Sequence, residues 1–564
     1  MLHFHTGVYQ CLELFIKGPS EGPESMIRLK GPMEGENCGE RRERAGNGYY
    51  RWVRFPVEKN RDYGLDLGGC EAGLLYLSDC EDLLDRGICY LELTPDGSRL
   101  EPAGRKMTSY RERYHFTPYK NWINDPNGLC FFKGYYHMYY QYNPFSQQWG
   151  NPYWGHAASR DLIHWKDLPV CLEPQQEILE DKGKMGGAFS GSAVPVGKEK
   201  IIFYLTRHSE DLGDEERVKE VQVMTESRDG IRFGSELTVV EGDRGQSARH
   251  FRDPKAEVWK DGKWHMVIGT CCGRLPSVAY YRSENGVDWN YEGALLEEKK
   301  ARGIETIECP DLFPLEDKMV LTASLMRYDS EPVDRQHVRY YLGTWKDGIF
   351  RTERSGLLDF GGSLYAVQSF LAGDQRIMIG WVADFWNEHI EEDGGCNGSM
   401  TIPRVTEIKN SCLVTRPAEA VYRLKKELIY RGAKGPFHLE AIEGNAWYAK
   451  LEFDGATEFR LRLMKDGEEG LYLGYRDGIL SFVSERQDKK RADGAVSISG
   501  IRQLEIFVDR RLAEVFVNGG EAAGTRIFYG EQGCGSFLGE FSDPGSVRGA
   551  EVYTMHSIWE GGEG

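Results

Sequence analysis

Three carboxylates recur along the chain in one local setting: Asp125 in WINDPNG, Asp253 in FRDP and Glu308 in ECPDLF. A proline follows each acid directly or after one residue. A short apolar stretch then leads to a hairpin-turn signal at Lys133-Gly134, Asp261-Gly262 or Glu316-Asp317. The turn lies eight residues beyond the first two acids and eight or nine beyond the third. Equivalent positions in successive repeats of a symmetric fold face the same way, so the three acids should converge. Convergent carboxylates are what cleavage of a glycosidic bond requires.

The elements that must position these acids are repeats. A turn motif recurs as SRDLIHW (159–165), SRDGIRF (227–233) and SENGVDW (283–289), with a degenerate copy KDGIF at 346–350. Aligned on Asp161, Asp229, Asn285 and Asp347, the steps are 68, 56 and 62 residues. Similar hairpins follow Phe189-Ser190 and Tyr365-Ala366, giving five units with turns near 133, 197, 261, 317 and 374. Units of about 60 residues with four short strands each are propeller blades, and their innermost strands line a central funnel. The spacing therefore predicts an all-β chain: a five-bladed propeller over 108–410, then a linker at 411–430. That linker carries an amphipathic helix with Ala420, Leu424 and Leu428 on one stripe. Alternating segments such as LEIFVDRRLAEVFVNGG then predict a β-sandwich over 431–564. Residues 1–107 read as an additional small β domain in which nothing suggests chemistry.

Composition narrows the partners. At 564 residues the chain is too long for one ordinary core. Its formal charge of −18 argues against nucleic acid and anionic membranes and fits a neutral ligand. Thirteen cysteines without a CxxC pair read as reduced thiols. No signal-peptide pattern and no run of 18 apolar residues is present, so the expectation is a cytoplasmic protein, with a homo-oligomer possible. No metal constellation or cofactor motif stands out.

The stretch YHFTPYKNWINDPNGL…YHMYYQYNPFSQQWGNPYWGHAASRDLIHW resembles the first blade of glycoside hydrolase family 32, the β-fructofuranosidases. The resemblance continues through FSGSAV, FRDPKAEVW, ECPDLF, YAVQSF, IMIGW and TIPR, and resumes at FVDRRLAEVFVNGG. It covers about 115–540 and leaves the first 107 residues outside. It implies a five-bladed propeller followed by a β-sandwich. It also implies Asp125 as nucleophile, Glu308 as general acid and then base, and Asp253 as the residue holding the fructose hydroxyls. The binding positions carried over are Asn124, Gln141, Trp149, Phe189, Ser190, Tyr365 and Trp381; Arg252, beside Asp253, is expected to bind substrate by donating to sugar hydroxyls. The chain departs from the family at Asn121, Ser363, Cys396 and Ala513. Ser363 and Cys396 are expected near the funnel mouth.

Elementary electrostatics supports this division. Two carboxylates about 5–5.5 Å apart disfavour double ionisation. Glu308, before the apolar Cys309-Pro310, is expected to have the raised pKa. Asp125, beside Asn124 and a donor-rich turn, is expected to be ionised, and Arg252 to keep Asp253 charged. The residues alone also allow a non-catalytic sugar-binding propeller, or a related furanosidase such as an arabinanase. Sucrose, sucrose 6-phosphate and short fructo-oligosaccharides all fit; a phosphate would need a basic subsite, to which Arg207 with His208, or Arg249 with His250, could contribute, although both pairs read first as solvated loop residues.

Overall fold

The computed structural model describes all residues except 33–38, 243–249, 273–274, 299–303, 305, 327–335, 347, 384–388, 456, 487–488, 533 and 560–564. Arg249 and Asp347 lie outside the described residues. Between 121 and 417 the strands form five sheets of four or five strands, each ordered outward from its first strand. These first strands are Asn121–Phe132, Lys184–Val196, Arg252–Val258, Thr306–Leu315 and Leu364–Ala372. They touch one another in sequence and the fifth returns to the first, so the ring closes. Cys396 and Asn397 lock the closure by pairing in parallel with Asn121 and Trp122 of the first sheet. Asn121 stands at φ 75°, a left-handed conformation that asparagine tolerates better than most residues.

The repeated turn motif has one physical cause. In each of the three full copies the Asp or Asn side chain accepts two successive backbone N–H groups. Asp161 Oδ1 takes those of Ile163 and His164, Asp229 Oδ1 those of Ile231 and Arg232, and Asn285 Oδ1 those of Val287 and Asp288. Each turn joins the third strand of its sheet to the fourth.

Three expectations change. The fifth sheet includes Arg404–Lys409 and Cys412–Pro417, so it runs past residue 410. The predicted helix is a single 3₁₀ segment, Glu419–Leu424. Pro417 precedes it, and Leu428 sits on the strand Lys425–Gly432, where it is exposed. The apolar spacing belonged to a short turn followed by an edge strand. Ser363 does not reach the funnel mouth either: it is buried, and its Oγ accepts the backbone N–H of Ile527 from the C-terminal sandwich. Cys396 stands in the ring-closing pair with Asn121.

Two six-stranded sheets follow, with a core that includes Trp447, Leu461, Phe482 and Phe537. The inner sheet packs on the propeller through Tyr448, Phe507 and Phe516 against Tyr114, Ile163 and Ile402. Residues 1–102 form a four-stranded and a six-stranded sheet, and their core takes in Tyr135, Ala158 and Leu168 of the first propeller sheet. Tyr90 stacks on Tyr119 at 3.7 Å across that junction.

Charge as well as apolar area joins propeller to sandwich. His115 is fully buried between Asp509, at 2.9 Å, and Glu514, at 3.0 Å. Glu514 also binds Arg404, which reaches Asp359 at 3.1 Å. Burial alone would lower the His115 pKa, but the two carboxylates outweigh it and push it up to about 9. A raised folded-state value stabilises the fold below the unfolded value of about 6.5. That contribution should fade as pH rises through about 9. His115→Gln should cost about 3–5 kcal/mol, because it strands buried charge. Denaturant melts of wild type between pH 7 and 10 should show a stability loss that the variant lacks.

Candidate active site

The five inner strands share an irregularity at one level. Pairing with the second strand breaks between Ile123 and Pro126, Ala188 and Gly191, Arg252 and Lys255, Glu308 and Asp311, and Tyr365 and Gln368. The residues stepped over are Asn124-Asp125, Phe189-Ser190, Asp253-Pro254, Cys309-Pro310 and Ala366-Val367. Asp253, Cys309 and Ala366 have φ of 68°, 46° and 48°. A bulge turns side chains out of the pleat, and proline is tolerated there because no ladder N–H is needed. Asp125 and Asp253 lie within their bulges, whereas Glu308 still pairs with Ser324 and stands just before its own; the proline falls inside the bulge at Pro254 and Pro310, while Pro126 pairs with Tyr140 at the bulge's end.

Asp125, Asp253 and Glu308 line one cavity of about 270 Å³. Asn124, Gln141, Trp149, Phe189, Arg252, Tyr365 and Trp381 line it as well. Ser190 is placed differently. Fully buried, it stands behind Asp125, donating to Oδ2 at 2.5 Å and accepting from Gln141 Nε2 at 2.5 Å. The relay continues, as Asn124 Nδ2 donates to Gln141 Oε1 at 2.8 Å and Trp122 Nε1 to Asn124 Oδ1 at 2.8 Å. Asn124 Nδ2 also approaches Asp125 Oδ1 at 3.2 Å. The Asp125 carboxylate is thus fixed from behind, with its exposed side toward the cavity. Trp149 meets Phe189 edge-on at 6.3 Å, and Phe189 stacks on His208 at 4.2 Å.

Cys309 ties two acids together. Its thiol lies 3.4 Å from Asp125 Oδ2 and 3.6 Å from Asp253 Oδ2, and its backbone N–H donates to Asp253 Oδ2 at 2.9 Å. Glu308 faces a different set. Oε1 accepts Arg252 Nε and Nη2 at 3.1 and 2.7 Å, and Oε2 accepts the Tyr365 hydroxyl at 2.6 Å.

The electrostatics reverse the simple expectation. Burial tends to raise Glu308, but the Arg252 guanidinium and the Tyr365 hydroxyl overcome it and hold the carboxyl below its ordinary value. Burial raises Asp125; the Ser190 hydroxyl opposes this, while the negative Glu308 adds to it. Asp253 is pushed up to about 7, by burial first and then by Asp125 and Glu308, against the pull of Arg252. The reason lies in where Arg252 points. Its hydrogen bonds go to Glu308, to His250 Nδ1 at 3.0 Å and, through Nη1 at 2.9 Å, to Glu220 rather than to the adjacent Asp253.

Glu220 escaped sequence reasoning. It is fully buried and held down to about 2, because Arg252 and His208 outweigh the effect of burial. Its signal was the alternation Val218, Glu220, Gln222 in VKEVQVM, which turns an acid inward. Met185, Glu210, Val218, His250 and Met326 complete the wall. Of the phosphate candidates, Arg207 is occupied by Glu236 and by the Glu173 carbonyl, at 2.9 and 2.7 Å. His208 stands between Glu220 at 3.1 Å and Glu210 at 3.6 Å.

Residues 115–417 match the model of the glycosyl hydrolases family 32 N-terminal domain, and 420–560 that of the family 32 C-terminal region. The chain belongs to glycoside hydrolase family 32. A sucrose-6-phosphate hydrolase from Zymomonas mobilis is 34% identical over 76% of this chain and 89% of its own. A raffinose invertase from Escherichia coli is 32% identical over 76% and 91%. A family 32 structure from Bifidobacterium adolescentis, 29% identical, covers 99% of this chain and 100% of its own with a TM-score of 0.89. The N-terminal sheets therefore have a counterpart there, although they precede the residues matched by the family models.

Family 32 chemistry makes the support behind Asp125 testable. Ser190→Ala removes a donor to a buried carboxylate, an interaction of about 1.5–3 kcal/mol. Turnover of a β-fructoside should fall by about 10- to 100-fold, and the melting transition should drop as well, because Asp125 and Gln141 both lose a buried partner.

Proposed function

We propose that this chain releases fructose from β-fructofuranosides by double displacement, with Asp125 as nucleophile, Glu308 as acid then base, and Asp253 as the ring-hydroxyl partner. The single observation that carries this reading is the convergence of the three acids on one cavity, with Asp125 and Glu308 held by separate networks. Asp125 attacks the anomeric carbon while Glu308 gives its proton to the departing oxygen. Water, deprotonated by Glu308, then cleaves the fructosyl ester, and retention results. Trp149, Phe189 and Trp381 supply apolar faces for the sugar's C–H surfaces; Asn124, Arg252 and Tyr365 hold the acids in place beside it.

Protonation follows from charge balance. Three buried carboxylates cannot all ionise cheaply beside one guanidinium. In the empty site burial and the neighbouring carboxylates push Asp253 up to about 7, which favours its protonated form. Sugar hydroxyls donating to Asp253 stabilise its anion, and the proton becomes available to Glu308, which the leaving group shields from water. The pair thus reaches its working states only with substrate bound.

The wall favours an unphosphorylated substrate. Its described residues include Asp125, Glu210, Glu220, Asp253 and Glu308 against Arg252, His208 and His250, and the arginine is already paired with two of those acids. The curated relatives include both sucrose-6-phosphate hydrolases and an invertase. Small fructosides suit a cytoplasmic setting; no helix among the described residues is long and apolar enough to cross a membrane.

Asp125→Ala and Glu308→Gln should each lower turnover by about 10³-fold or more with the fold intact. Proton NMR of early product should show the β-anomer of fructose. Rates near wild type, or an inverted product, would refute the assigned roles. Sucrose should exceed sucrose 6-phosphate in kcat/KM by about tenfold or more if like-charge repulsion governs the wall.

A further inference from the structure

The sandwich carries a groove that the propeller's chemistry does not use. It lies on the outward face of the outer sheet, turned away from the sheet that packs on the propeller, and has a volume of about 600 Å³. Its floor can be read from strand register. Gly474 pairs with Arg460 on one side and Ser481 on the other, and Arg460 pairs in turn with Glu540. Along the same strand Tyr472 stands opposite Val483, and Arg476 opposite Ile479. Side chains on one face recur every second residue. Gly474 is therefore the centre of a patch whose nearest members are Arg460, Ser481, Tyr472 and Arg476.

The usual reasons for a glycine inside a strand do not apply at this position. Gly474 is not among the residues with positive φ. Its pairing is regular on both sides; the one irregularity between its strand and Phe459–Asp466 lies at Arg462 to Met464. A Cβ built on it would meet nothing nearer than the Phe459 carbonyl oxygen, at 4.0 Å. A glycine that neither backbone nor packing demands weakens the strand, and the remaining cause is close approach of something from outside.

The surroundings indicate what approaches. The Arg460 guanidinium lies 3.8 Å over the Tyr472 ring and is fixed by Glu485 at 2.5 Å. Arg460 and Arg476 line the groove together with Glu458, Asp477 and Glu540, so both donors and acceptors are present and neither sign dominates strongly. Ile479, about half exposed, offers an apolar surface at the rim. Mixed donors and acceptors with an apolar strip match a neutral polyhydroxyl chain; a polyanion or polycation would meet like charge.

We propose that this groove is a second saccharide-binding site, which takes a neutral oligosaccharide independently of the propeller's cavity. Choosing a fructan as the ligand rests on the activity proposed above; the groove's own chemistry asks only for a neutral saccharide.

Gly474→Leu tests this, because it fills the floor without disturbing backbone conformation. Native gels containing inulin would compare the full chain bearing Asp125→Ala with the same chain also bearing Gly474→Leu. The first should be retarded, and the second should need about tenfold or more inulin for equal retardation. Gly474→Leu alone should keep its melting temperature and turn over sucrose at the wild-type rate. Equal retardation of the two proteins, or none in either, would overturn the proposal. So would a fall in sedimentation mass caused by Gly474→Leu, which would make the occupant a second copy of the chain. Retardation is read without turnover, so an error in the catalytic assignment would leave it intact and show only in the sucrose assay.

Discussion

Arg252 is the guanidinium on which the cavity's charge balance depends. Five carboxylates among the described residues line the cavity, and Arg252 is buried against two of them, Glu308 and Glu220. Without a cation at that point, the acids could be brought together only as neutral groups, since burial and mutual repulsion both oppose ionisation. With it, Glu308 and Glu220 are held low while Asp253 is pushed up to about 7. The cavity therefore contains carboxyls of unlike proton affinity within a few ångströms. Acid–base chemistry at neutral pH needs that inequality. Glu220 does its part from a different sheet, through its own charge and through His208.

This balance holds only because the backbone presents the acids at one level. Five bulges at equivalent points of five inner strands achieve that, and ring closure at Cys396-Asn397 keeps them in register. Left-handed backbone at Asp253 and Cys309 costs on the order of 1–2 kcal/mol per residue. The surrounding sheets must supply it. Here the strain is tied to a visible result: at Cys309 one turn of backbone directs a peptide N–H at Asp253 and a thiol at Asp125.

How much of this was legible in the sequence follows from the range of each interaction. The acid-then-proline repeat was legible because a bulge and its proline are local. The Asp and Asn turns were legible for the same reason, since each side chain satisfies backbone groups two and three residues away. Ser190 could be named but not placed: its strand position was clear, yet whether it faces sugar or Asp125 depends on packing between two sheets. The proton affinities of Asp125 and Glu308 came out reversed, because their neighbours along the chain say nothing of where Arg252 points. That orientation is set by Glu220, more than thirty residues earlier and on a strand that pattern alone marks only as alternating. The expected helix after residue 411 failed for another reason: three apolar residues at helical spacing also fit a 3₁₀ turn running into an edge strand, and Pro417 favours the shorter element.

The sandwich is bound to this machinery by ionic contacts that have little tolerance for sliding. His115, Glu514, Arg404 and Asp359 are all buried, and each has its partners at hydrogen-bond distance. Apolar surfaces can shift against one another at small cost, whereas buried charges displaced from their partners lose several kcal/mol apiece. A junction of this kind defines one docking pose better than apolar area would. It also fixes the sandwich on the propeller in one orientation. A flexible linker would instead dilute a site on the sandwich to an effective concentration set by its reach. The groove around Gly474 and the cavity around Arg252 thus belong to one rigid arrangement, and the charged network between them supplies the rigidity.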